Sequence, residues 1–140
     1  MLKNLAIVTL LILFVIGILY WQKSASNIAG KGKPIVSIIV PNIPSNLQFG
    51  NNLFDSKCSR CHGVNAVGKE GIGPPLVHKI YEPNHHADAS FALAAKNGVR
   101  SHHWPFGNMP PIGDITNSEI DEIINYIRYL QRANGIGFPG

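Results

Sequence analysis

The chain has 140 residues, 45% of them hydrophobic and only 14% charged, with two cysteines and a formal net charge of +4. That length holds one compact domain and little more, and two cysteines are too few for a disulfide-stapled scaffold. A nucleic-acid face is excluded as well: from Pro44 onward eight basic residues meet eight acidic ones, and the surplus is Lys3, Lys23, Lys31 and Lys33, all near the N-terminus.

The hydrophobic excess has a local source. Residues 5–21 read LAIVTLLILFVIGILYW without a charge, between Lys3 and Lys23. As a helix this run spans roughly 25 Å, the short end for a membrane crossing, and Tyr20 and Trp21 suit an interfacial aromatic belt. Residues 1–22 are expected to form an uncleaved membrane anchor. The alternative is an export signal cleaved near the small residues Ser24, Ala25 and Ser26.

Residues 23–48 follow as a linker rich in Lys, Ser, Pro and Gly. Inside it the β-branched run Ile35–Val40 is long enough for a short strand, although an extended segment laid against the domain fits better. The domain proper is expected over residues 49–140. Its first helix begins near Asn51 and turns Leu53, Phe54 and both cysteines inward. From Gly63 to Pro111 the chain is punctuated by Gly, Pro, Asn and His and reads as loops with short helices. One such helix is expected over Ala89–Asn97, stopped by Gly98. The last helix is the best specified. Thr116 or Ser118 caps it, and Glu119 and Glu122 fill its first turn. Arg128 and Arg132 complement the dipole near its end, and Asn134-Gly135 stops it. Ile120, Ile123, Ile124, Ile127 and Leu130 form its apolar stripe.

The chemistry is concentrated in Cys58-Ser59-Arg60-Cys61-His62. Cysteines three apart on a helical turn share one face, where both sulfurs can form thioethers to the vinyl groups of a haem, and the adjacent imidazole reaches the iron. A zinc site needs four ligands, two of which histidines would have to supply. A thioredoxin-type redox pair expects an α/β context that this chain lacks. Neither accounts for His62. One covalent haem c is therefore expected, held by Cys58 and Cys61 and ligated by His62, and the porphyrin would supply the apolar core that so small a domain lacks. Because c-type haem is attached outside the cytoplasm, this outweighs the lysine bias around residues 5–21, which alone favours the opposite orientation.

An electron-transferring haem commonly takes methionine as its second axial ligand. Met109, in the stiff run Gly107-Asn108-Met109-Pro110-Pro111, is the one methionine outside the N-terminal segment. His78, His85, His86, His102 and His103 read chiefly as solvated loop histidines, the alternatives being a surface metal site or an iron ligand. His102 or His103 is the alternative iron ligand, because both lie near Met109 in sequence.

Together these residues resemble class I monohaem cytochrome c of bacteria, over roughly Gly50 to Leu130. Gly50 and Phe54 match the first-helix positions that meet the last helix in that family, and Ile123 and Tyr126 match their partners. Gly73-Pro74-Pro75-Leu76 is similar to the family's Gly-Pro-x-Leu turn, which implies a hydrogen bond from His62 Nδ1 to the Pro74 carbonyl. Met109-Pro110 is similar to its distal-ligand motif. Trp104-Pro105-Phe106 and the paired histidines depart from the family. Trp104 either lines the haem pocket or donates to a propionate, or else is a plain core aromatic.

The resemblance implies an all-α, cytochrome c-like fold of three to five helices around one haem, with the first and last helices crossing. It implies a non-enzymatic electron carrier cycling between Fe(II) and Fe(III) at the extracytoplasmic, periplasmic face. The domain would be membrane-anchored there, or soluble in the periplasm after signal cleavage. Redox donors and acceptors, membrane-bound oxidoreductases among them, would be its partners. Two other functions stay open: a haem subunit of a larger respiratory or dehydrogenase complex, and a gas sensor or peroxidase with a labile sixth ligand.

Overall fold

The computed structural model describes residues 9–22 and 32–137. The chain forms two compact units, residues 1–31 and 32–140. In the first, residues 9–22 are helical (α1) and expose apolar side chains from Leu10 to Trp21. Residues 1–8 of the expected anchor, and 23–31 of the expected linker, lie outside the described residues. Among those described, no helix is long and apolar enough to cross a membrane.

The second unit is helical: α2 (Gln48–Lys57), the single turn α3 (Ser59–His62), α4 (Asp88–Asn97) and α5 (Asn117–Ala133). No strand occurs among the described residues, whose only β-type pairings are the bridges Lys69–Gly73 and Val99–Met109. The first helix starts three residues before the expected Asn51, at Gln48, after a 3-10 turn over Ser45–Leu47.

The organising contact is the crossing of α2 and α5. A Cβ at Gly50 would lie 2.2 Å from the Glu122 carbonyl oxygen and 3.3 Å from Tyr126 Cβ, so only glycine lets the two backbones approach this closely. Next to it Phe54 and Tyr126, both fully buried, pack with ring centroids 5.6 Å apart. The α5 stripe Ile120, Ile123, Ile124, Ile127 and Leu130 is buried at the expected spacing. Thr116 caps α5 in a reciprocal box: its hydroxyl accepts from the Glu119 N–H at 3.2 Å, while the Glu119 carboxylate accepts from the Thr116 N–H at 2.8 Å. Helix α4 begins at Asp88, one residue before the expected start, and stops at Gly98 with φ +74°.

Residues 35–40 form no strand: Ile35 and Val36 lie in a bend, and the segment is tied by side chains and loops. Ile35 and Val36 each donate their N–H to the Val67 carbonyl at 3.2 Å. Asn134, just past α5, accepts from the Ile39 N–H at 2.7 Å and donates to its carbonyl at 2.8 Å. Tyr129 donates to the Asn42 carbonyl at 2.7 Å, and Ile38 and Ile43 pack on the core. Composition sets this stretch down as linker because its prolines, serines and lysines carry no helical period. The anchoring comes from residues distant in sequence: Val67, Tyr129 and Asn134.

Candidate functional site

Residues Cys58 to His62 occupy one turn. Phe54 accepts from the Cys58 N–H at 2.8 Å, and Cys58 in turn accepts from the His62 N–H at 2.9 Å, so the chain passes from α2 into α3 with a slight break. Cys58 is half-buried and Cys61 exposed, and both thiols are free. Burial, and then the neighbouring Cys61, push the Cys58 thiol up to about 11. A thiol held that high is protonated at neutral pH, the reverse of the depressed value a redox nucleophile needs. Among the described residues the one gathering of three or more metal-ligating side chains lies elsewhere, at His85, His86 and His103, so nothing assembles a four-ligand zinc site around the cysteines.

His62 is buried. Its Nδ1 stands 2.9 Å from the Pro74 carbonyl oxygen, which can only accept, so Nδ1 carries the proton and Nε2 keeps the lone pair. Burial also lowers the imidazole's pKa, opposed by the Pro74 bond, which favours the neutral, ligating form. The turn that delivers Pro74 is held tightly against the motif: a Cβ at Gly73 would meet the Cys61 carbonyl oxygen at 2.5 Å. Gly63, with φ +75°, ends α3 and lets the chain fold back so that Gly68 donates to the His62 carbonyl at 2.6 Å.

Farther along the chain, Met109 is fixed through its backbone. Its N–H and carbonyl both pair with Val99 at 2.9 Å, closing the loop 99–109 at its base. A Cβ on Gly98 would meet the Met109 carbonyl oxygen at 2.5 Å, so the end of α4 is pressed against the same strut. Met109 is half-buried.

Cys58, Cys61, His62 and Met109 all line one cavity of about 1160 Å³, walled largely by apolar side chains including the Ile120, Ile123, Ile124 and Ile127 stripe of α5. That is at the upper end of, or above, the roughly 300–1,000 Å³ of small-molecule sites. Trp104 lines it too. Its indole Nε1 is buried and without an acceptor in hydrogen-bonding geometry, although the indole is near enough to the Tyr81 hydroxyl to oppose the rise that burial causes in that phenol's pKa. A large apolar cavity with a neutral imidazole on its wall, two thiols beside it and an orphaned donor fits a covalently held haem.

Residues whose roles sequence reasoning missed support the walls. Arg128, read from sequence only as a dipole complement, is buried. It donates from Nη1 to the Tyr81 carbonyl and Gln131 Oε1, both at 2.7 Å, and from Nη2 to the His86 carbonyl at 2.5 Å. Gln131, also buried, donates to the Leu76 carbonyl at 2.7 Å. Both lie on the stripe's own helical spacing, Arg128 four residues after Ile124 and Gln131 four after Ile127. That spacing was the available signal.

A family model described as Cytochrome c matches residues 47–131. No curated protein and no solved structure matches the chain. The match spans the α2–α5 crossing, the C-x-x-C-H turn and the Met109 loop, and it brings with it covalently bound haem c and a haem-based role in electron transfer: the chain belongs to the cytochrome c family.

Proposed function

We propose that this protein is a one-electron carrier whose single haem is attached through thioethers from Cys58 and Cys61 and ligated axially by His62 and Met109. The observation that carries this reading is the pair of fixed supports on one cavity. His62 is buried with Nδ1 committed to Pro74, and Met109 is pinned to Val99 through both backbone groups. The haem, when bound, supplies an iron that alternates between Fe(II) and Fe(III). The chain's own residues do the rest. His62 presents Nε2, and the Pro74 carbonyl holds the ring's orientation and raises its basicity. Met109 offers a soft thioether that favours the reduced state. The α5 isoleucines exclude water, and Trp104 holds a buried indole N–H that would be available to a haem propionate. Ile72 and Leu93 line the cavity while remaining 37% and 59% exposed, and they offer apolar contact to a redox partner.

The domain works on the extracytoplasmic side, exchanging electrons with membrane-bound oxidoreductases. It is tethered by residues 5–21, or released after cleavage beyond them. The uncharged run, the helix over 9–22 and its exposed apolar side chains support the tether. A redox titration of the holoprotein tests the carrier: one haem should titrate as a single one-electron step, and the reduced protein should not take up carbon monoxide. Ready binding of the gas would instead favour a sensor or peroxidase. The mass of the protein recovered from membranes separates an anchor, with residues 1–22 retained, from a cleaved signal.

A further inference from the structure

Four of the six histidines converge from two loops. His85 and His86 follow the 3-10 turn Lys79–Tyr81, and His102 and His103 lie in the loop that Val99 and Met109 close. The rings stand 4.8 Å apart for His85 and His86, 5.3 Å for His86 and His103, 5.4 Å for His85 and His103, and 4.2 Å for His102 and His103. One ring nitrogen from each of His85, His86 and His103 lies within 4.8 Å of the other two. Adjacent histidines on one regular element point apart. Here the convergence comes from bringing two loops together.

Both loops are held in place. His85 and His86 donate their N–H groups to the Glu82 carbonyl at 3.0 and 2.8 Å, and the His86 carbonyl accepts from buried Arg128. On the other side the Ser101 N–H donates to Asn108 Oδ1 at 2.9 Å, and the Ser101 hydroxyl donates to the Trp104 carbonyl. His86 Nδ1 donates to the Ile80 carbonyl at 2.6 Å, and His102 Nδ1 to the Arg100 carbonyl at 2.9 Å. Of the three grouped histidines His86 thus has the outer support that metal-ligating histidines generally have: one N–H tied to a carbonyl, the other nitrogen left with its lone pair. No carboxylate belongs to the group. An all-imidazole donor set suits copper, zinc or nickel and not magnesium or calcium. Nitrogens bound tetrahedrally at roughly 2.0–2.1 Å would be about 3.3 Å apart, so the group must close by no more than about 1.5 Å. His85 and His103 are exposed and His86 half-buried, so ring rotation can supply that closure and an ion can reach them.

We propose that His85, His86 and His103 bind one divalent transition-metal ion, copper or zinc, at the rim of the haem cavity, which His86 and His103 also line. His102 lies beside them, its ring 4.2 Å from that of His103, and is not one of the three ligands. This site is separate from the His62–Met109 axis and does not depend on it.

The test is calorimetric titration of the full-length holoprotein with copper(II) sulfate and, separately, zinc(II) chloride, together with electron paramagnetic resonance of the copper-loaded protein. One ion per chain and nitrogen hyperfine structure from imidazoles are expected. His85→Ala and His103→Ala should each weaken binding at least ~10-fold, and His85→Ala, at a residue that does not line the haem cavity, should leave the haem absorption spectrum as in the wild type. Both positions are exposed, and circular dichroism checks that the variants fold. Failure of the wild type to bind either ion would overturn the proposal. So would variants that bind as tightly as the wild type, or a haem spectrum that changes with His85→Ala, since that would assign the histidine to the haem.

Discussion

Tyr126 ties the last helix to the loop behind the haem-binding turn: its hydroxyl donates to Asn65 Oδ1 at 3.0 Å, and Asn65 holds a left-handed backbone with φ +54°. Burial, and then the charge of Asp55, push its phenol up to about 12 from 10. A raised acid pKa means that the unfolded chain loses its proton first. Stability from this group is therefore intact below pH 10 and declines as pH rises from 10 to 12. Tyr126→Phe should flatten that decline in an alkaline series of urea melts, and should cost about 1 kcal/mol at neutral pH for the lost hydrogen bond. Equal slopes for the two proteins between pH 10 and 12 would refute the assignment. Arg128 and Arg132 make a second test at this scale. Arg128→Lys cannot reproduce the forked set of bonds to Tyr81, His86, Gln131 and Asp88 and should cost about 2–3 kcal/mol. Arg132→Lys, at an exposed position, should stay within about 0.5 kcal/mol. Similar urea midpoints for the two variants would contradict this division.

At the scale of elements, the α2–α5 crossing depends on a missing side chain. Gly50→Ala would force a Cβ to within 2.2 Å of the Glu122 carbonyl and should cost about 3 kcal/mol or more. Gly113→Ala, with nothing within 4 Å of its Cβ, should cost almost nothing. Thr116→Ala, which dismantles the capping box, falls between them at about 1 kcal/mol. Thermal melts of the three variants should preserve that order. These features were open to sequence reading because they are local or periodic: the cap with Glu119 three residues on, the isoleucine stripe, the stop at Gly98 and the C-x-x-C-H turn. The resemblance to a family marked Gly50 as the crossing point. Other features rest on contacts distant in sequence and leave no local period. Asn134 clamps Ile39 from 95 positions away, Val99 brackets Met109 across a loop, and the histidine pairs meet only because two loops fold together. The burial of Arg128 was legible but not used: its spacing from Ile124 puts it on the inward stripe.

At the scale of the whole molecule, the side chains around the cavity form walls without filling it. Ile120, Ile123, Ile124 and Ile127 turn toward about 1160 Å³ of space, and apolar surface on that scale is poorly stabilised unless a ligand covers it. Cys58→Ser combined with Cys61→Ser, expressed so that haem is not attached, should leave a chain with part of its helical far-ultraviolet dichroism, strong binding of a hydrophobic dye and no sharp melting transition. A cooperative melt equal to that of the holoprotein would mean that the side-chain core suffices without haem. The central claim, that Met109 and His62 together hold the iron of a carrier, is tested most directly by absorption spectra of the wild-type holoprotein and of Met109→Ala, oxidised and reduced, with and without carbon monoxide. The wild type should be low-spin, show the weak far-red band of methionine–iron coordination and ignore the gas, and the variant should lose the band and bind it. A wild type that is high-spin or takes up carbon monoxide, or a Met109→Ala protein with an unchanged spectrum, would contradict the account.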